Sequence, residues 1–161
     1  MNTVIVYYSL EGHTRKVCEE VAKRLDAKLV ELTCVRPYAT SGPAKYGRAS
    51  KDTLLNKRPE LNPYEFEASG VDLVVVATPC WAGKGAAPVN TFLAEHDLSG
   101  VRRAAIITCK AESGVRKYGQ NFRAQCGFGE DEPVLSLCEA QIADATELSE
   151  AVDAFCERCR D

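Results

Sequence analysis

Near the start of the chain stands a turn, Ser9-Leu10-Glu11-Gly12-His13-Thr14, that offers two hydroxyls, a glycine and a histidine. It follows the apolar, β-branched run TVIVYY (3–8). It leads into RKVCEEVAKRL (15–25), where Val17, Cys18, Val21, Ala22 and Leu25 share one helical face. A strand-to-helix turn of this composition suits a phosphate. Backbone N–H groups at a helix N-terminus point outward with partial positive charge. Ser9 and Thr14 add hydroxyl donors, and Gly12 permits close approach or a positive φ. The turn lacks the Lys of a nucleoside-triphosphate loop and the glycine triplet of a dinucleotide site, so a terminal monophosphate suits it best. The same residues would equally serve only to cap the helix.

A second loop, ATPCWAGKGAAPVNTFL, follows the strongest strand pattern and carries the only tryptophan, Trp81, beside Gly83 and Gly85. A lone tryptophan commonly belongs to a core. At the carboxyl end of a central strand, where a loop faces solvent, it can instead be a platform on which a flat ring stacks. A third small polar loop, TCKAESG (108–114), follows the next strand. Together the three loops describe a site for a flat ring system with a phosphorylated tail.

Other reactive residues carry less. Cys80 and Cys109 fall in these loops and read either as small loop residues or as thiols beside the ligand. Cys156 and Cys159 resemble a redox or metal pair, but they end a helix, which disfavours thiolate, and no second pair completes a zinc site. His96 follows Glu95 at the end of a helical pattern and reads as a surface residue.

The elements that must position these loops alternate. VDLVVVAT (71–78) is apolar on nearly every side chain, as a strand covered on both faces should be. KLVELTC (28–34), RRAAIITC (102–109) and PVLSLCEAQ (133–141) read as strands. PVNTFLAEH (88–96) and a stretch near 115–126 read as helices. A final helix starts near Asp144, with Glu147 three residues on as in a capping box. The irregular stretch 36–66 holds room for a short helix near 45–55. Strict alternation predicts a doubly wound α/β fold: five parallel strands in one sheet with helices on both faces. No linker divides the chain, so 1–161 is expected to be a single domain.

The chain has 161 residues, 45% hydrophobic and 27% charged, as a globular protein should. No apolar run approaches the roughly 18 residues of a membrane span, and no secretory signal is apparent. A cytoplasmic location and reduced packing roles for most of the eight cysteines are the expectation. The net charge of −3 is unevenly spread. Residues 36–58 carry six bases against Asp52, a net +5, and residues 129–161 carry ten acids against Arg158 and Arg160, a net −8. No dense basic stripe with aromatics marks a nucleic-acid binder.

From residue 1 to about 159 the chain resembles the flavodoxins, more closely the short flavodoxin-like proteins of bacteria. SLEGHTRKVCEEVA resembles the family's Ser/Thr-x-x-Gly-Asn-Thr phosphate loop. The block from RPELNPYEF to AAIITC resembles its central region, with a Pro-x-Trp-x-Gly loop after the third strand. The resemblance implies strand order 2-1-3-4-5 and non-covalently bound FMN. It implies that the 9–14 turn, with Ser9, Gly12, His13 and Thr14, holds the phosphate. Thr78, Pro79, Cys80, Trp81, Ala82 and Gly83 would flank the isoalloxazine, and Cys109, Lys110, Ala111 and Gly114 would meet its pyrimidine edge. Two departures stand out. His13 replaces the usual Asn, and the third loop lacks a second stacking aromatic, which would leave one flavin face open.

Three functions fit. An electron carrier would work with a redox partner protein. An FMN-dependent reductase would take hydride from a nicotinamide donor and pass electrons to a quinone or similar flat acceptor, which an open flavin face favours. A non-redox binder of another phosphorylated ligand fits least, because of the Trp81 loop. The carrier is the expected function.

Overall fold

The computed structural model describes residues 1–161. Its elements run β1 (Thr3–Tyr7), α1 (His13–Leu25), β2 (Lys28–Glu31), α2 (Ala44–Leu54), β3 (Leu73–Trp81) and β4 (Lys84–Gly85). They continue with α3 (Ala87–Glu95), β5 (Arg102–Cys109), α4 (Val115–Cys126), β6 (Val134–Cys138), α5 (Glu139–Ala143) and α6 (Ala145–Arg160). The sheet order is β2-β1-β3-β5-β6, all parallel. That is the expected order of the five main strands. The two-residue β4 is an addition: it folds back antiparallel on the tip of β3.

The period-2 geometry of the strands sorts their side chains into two cores. Ile5, Tyr7, Val75, Ala77, Ala104 and Ile106 face one side, where α1 and α6 contribute Val17, Cys18, Val21, Leu148, Val152 and Phe155. Val4, Val6, Val74, Val76, Ala105 and Ile107 face the other, against Val89 and Phe92 of α3 and Phe122 of α4. A strand buried on both faces needs the continuous apolar run that VDLVVVAT displays.

Three strands differ in their boundaries from the sequence pattern by more than one residue. β3 starts at Leu73 and runs past Thr78 to Trp81. β2 stops at Glu31 rather than running to 34. β6 stops at Cys138, and Glu139–Ala143 is a helix that the strand-like pattern concealed. Asp144 caps α6 as its spacing suggests: its carboxylate accepts from the amides of Thr146 and Glu147, both at 3.0 Å.

All eight cysteines are free. Cys156 and Cys159 are buried in the core beneath α6. His96 is not a free surface residue. It is half-buried, its Nε2 lies 2.8 Å from the Tyr64 hydroxyl, and burial lowers its pKa.

Candidate functional site

The sheet winds one way from β1 to β2 and the other way from β3 to β6, so a crevice opens where the carboxyl ends of β1 and β3 part. The 9–14 turn leaves β1 at that point. Gly12 takes φ 98°, a left-handed conformation that a side chain would strain. The Ser9 hydroxyl oxygen folds over the turn and accepts from the amides of Gly12 (3.1 Å) and Arg15 (3.3 Å). A helix start leaves its first amides without intrahelical acceptors. Ser9 satisfies two of them, which leaves the amides of His13 and Thr14 available to an anion. The Thr14 and Thr108 hydroxyls meet at 2.8 Å, both nearly buried at the floor.

The electrostatics of the turn are mixed. Glu11 is ion-paired with Lys45 of α2. The His13 ring lies 3.9 Å from Glu11 and 3.7 Å from Glu139. Lys45 therefore offsets a carboxylate that would otherwise repel a phosphate.

β3 supplies the next wall. Trp81 pairs with Lys84 across a two-residue hairpin whose loop, Ala82-Gly83, has φ of 48° and 78°. Positive φ at both positions is the signature of a type I′ turn, which matches the right-handed strand twist. The hairpin holds Trp81 half-buried at the crevice. Its indole meets the Tyr8 ring edge-on at 5.4 Å and 85°, and the Tyr38 ring at 4.8 Å and 66°. The tryptophan thus has one part packed on the core and one part lining the crevice. Thr78 does something different: its hydroxyl is buried and accepts from the Ala86 amide at 2.8 Å. Gly83 turns its carbonyl to the Asn121 side chain at 2.8 Å.

β5 ends in Cys109 and Lys110. The Cys109 thiol donates to the Ala111 carbonyl at 3.4 Å. Burial pushes both the Cys109 and Cys80 thiols up to about 11, so neither is a thiolate near neutral pH. Lys110 reaches the Tyr46 hydroxyl of α2 at 3.3 Å. That hydrogen bond raises the Lys110 pKa and lowers the Tyr46 pKa. Gly114 packs against the Tyr118 ring, at a place where a Cβ would stand 1.9 Å from it.

These loops enclose a cleft of about 230 Å³. Typical small-molecule sites span about 300–1,000 Å³, so a ligand of ordinary size would stand partly out of it. Of the sequence-predicted residues, Ser9, Leu10, Glu11, His13, Thr14, Pro79, Cys80, Trp81, Ala82, Cys109 and Lys110 line the cleft. Gly12, Thr78, Gly83, Ala111 and Gly114 lie outside its lining. Their positions shape the turns instead. The sequence pattern missed Thr108, Glu139 and four residues of α2: Lys45, Tyr46, Ala49 and Ser50. The basic run in 36–58 was the one visible hint of the last group.

The cleft has donors at one end and an aromatic wall at the other. The flavodoxin family's sequence profile matches residues 2–153. A flavoprotein from Lactobacillus acidophilus, solved in complex with FMN, superimposes with a TM-score of 0.67 at 23% identity, over 85% of this chain and 91% of that one. A protein from Bacteroides eggerthii reaches a TM-score of 0.71 at 17% identity, over 97% and 96%. The oxidised flavodoxin 2 of Bacillus cereus gives 0.52 at 16%, over 98% and 99%. At such identities these structures share the fold alone, and no curated protein matches the chain. The profile match over nearly all of the chain, on a sheet wound in the order 2-1-3-5-6, makes this chain a member of the flavodoxin family.

Proposed function

We propose that the protein binds one FMN in this cleft, without a covalent bond, and serves as an electron carrier. The observation that supports the reading best is the polarity of the cleft. Two unclaimed amides and a hydroxyl pair gather at the β1 turn, while Trp81 stands at the tip of β3, next to the turn across the crevice. A terminal phosphate fits the first, and a flat ring fits the second. FMN, once bound, supplies the redox chemistry. The chain binds, orients and sets the local field. His13 and Thr14 amides would take phosphate oxygens, Trp81 would pack on the ring, and Lys110 would place positive charge beside it. The protonated thiols of Cys80 and Cys109 suit packing rather than thiol exchange. The family's profile and the FMN complex of the Lactobacillus flavoprotein agree with this assignment.

The partners would be redox proteins. No helix is long and apolar enough to cross a membrane, and the free thiols suit a reducing cytoplasm. A second reading, a reductase fed by a nicotinamide, draws on the net +5 of residues 36–58, beside the cleft, where pyrophosphate could rest. The two part in one experiment. With FMN loaded under anaerobic conditions, NADH or NADPH alone should leave the visible flavin bands intact. Rapid bleaching by either would replace the carrier with the reductase.

A further inference from the structure

Tyr46 is 56% exposed, yet it is not a loose surface tyrosine. It is rooted on α2, and its hydroxyl reaches Lys110, which follows β5. The ends of β1 and β3 lie between β2 and β5 in the sheet. α2 packs against β3 and α3, and Tyr46 and Lys110 both line the cleft, so this side chain links α2 to the loop after β5 along the cleft. Two ammonium groups hold it there. Lys45 Nζ lies 5.3 Å from the ring centroid and Lys110 Nζ 5.8 Å, both within cation–π reach. Lys45 is itself tied to Glu11 in the phosphate turn. The neighbouring lining is small, with Ala49, Ser50 and Ala82. An aromatic ring more than half exposed thus stands beside the cleft, with two ammonium groups close to it.

Resting on the FMN reading, we propose that Tyr46 is a positioning residue that covers the isoalloxazine as a second aromatic wall, delivered by α2 rather than by the loop after β5. Trp81 bounds the cleft from the tip of β3, and Tyr46 bounds it from α2. The Lys45 and Lys110 ammoniums, drawn to the ring, then lie where they favour electron gain by the flavin. The ring does the stacking, and the hydroxyl only locates it.

The test compares wild type, Tyr46→Ala and Tyr46→Phe in titrations with FMN and with riboflavin, together with NMR of the wild-type FMN complex. Stacking of a ring on an aromatic side chain is worth about fivefold to a hundredfold in affinity by alanine substitution. Tyr46→Ala should weaken FMN and riboflavin by about that factor, and equally, because the phosphate is not involved. Tyr46→Phe should stay within about threefold of wild type by the same reasoning, since the stacking ring is retained. Nuclear Overhauser cross-peaks should join the Tyr46 ring protons to isoalloxazine protons. An unchanged riboflavin affinity in Tyr46→Ala, a Phe variant as weak as the Ala variant, or missing cross-peaks overturns the proposal. A wild type that titrates with neither flavin overturns the FMN reading first, and is told apart because the failure precedes any variant.

Discussion

Phe92→Ala is expected to destabilise the protein by about 3–5 kcal/mol, the usual loss for a buried aromatic cut to a methyl. Phe92 is fully buried on α3 and belongs to the core that packs beneath β3. Its ring meets Phe66 at 5.0 Å and 75°, Tyr64 at 6.2 Å and His96 at 4.8 Å. The ring therefore fastens the irregular segment, through Tyr64 and Phe66, to the sheet. That segment also carries α2 and so the far wall of the cleft. Near this chain length a loss of 1 kcal/mol lowers Tm by about 2–4 °C, so a fall of about 6–20 °C is expected in a thermal melt. A loss below about 1 kcal/mol would place the cluster outside the cooperative core.

The second large effect is a selective one. Thr14→Val keeps the shape of the side chain and deletes its hydroxyl. In the Thr14–Thr108 pair at 2.8 Å, one hydroxyl donates to the other. When Thr108 donates, the Thr14 proton is free for a phosphate oxygen. A hydrogen bond to a charged group contributes about 1.5–3 kcal/mol. FMN binding should weaken by about tenfold to somewhat over a hundredfold on that basis. Riboflavin, which has no phosphate, should bind Thr14→Val as it binds wild type. Equal losses for the two ligands would mean that the turn only caps α1.

The sheet was legible because its signals are local. Continuous apolar runs separated by helix-period segments leave few ways to wind a parallel sheet. The β4 hairpin escaped notice because two residues carry no periodicity. The onset of α5 was hidden because Leu137 and Cys138 continue the apolar pattern into it. Within the site, the loops after β1, β3 and β5 could be found, since each begins where a strand pattern stops. Which residue of each loop faces the cleft could not be read so easily. Thr78 points away, to Ala86, and the neighbour Thr108 rather than Ala111 or Gly114 joins the lining. Motif spacing does not encode that choice; the pleat and the turn geometry do. Lys45 and Tyr46 were out of reach for another reason. They sit in a segment rich in Pro and Gly, and their place in the cleft depends on contacts with Glu11 and Lys110, far along the chain. The same holds for His96, whose partner Tyr64 lies 32 residues earlier.

The central claim, a flavin seated between the β1 turn and the Trp81 loop, has a direct reporter. Trp81 is the only tryptophan, so its emission has one source. Titrating FMN into the apoprotein should quench that emission saturably, with a break at one FMN per chain, as the isoalloxazine comes to lie against the indole. An emission that stays unchanged while FMN is added to excess would contradict the site, and with it the account of how this chain is used.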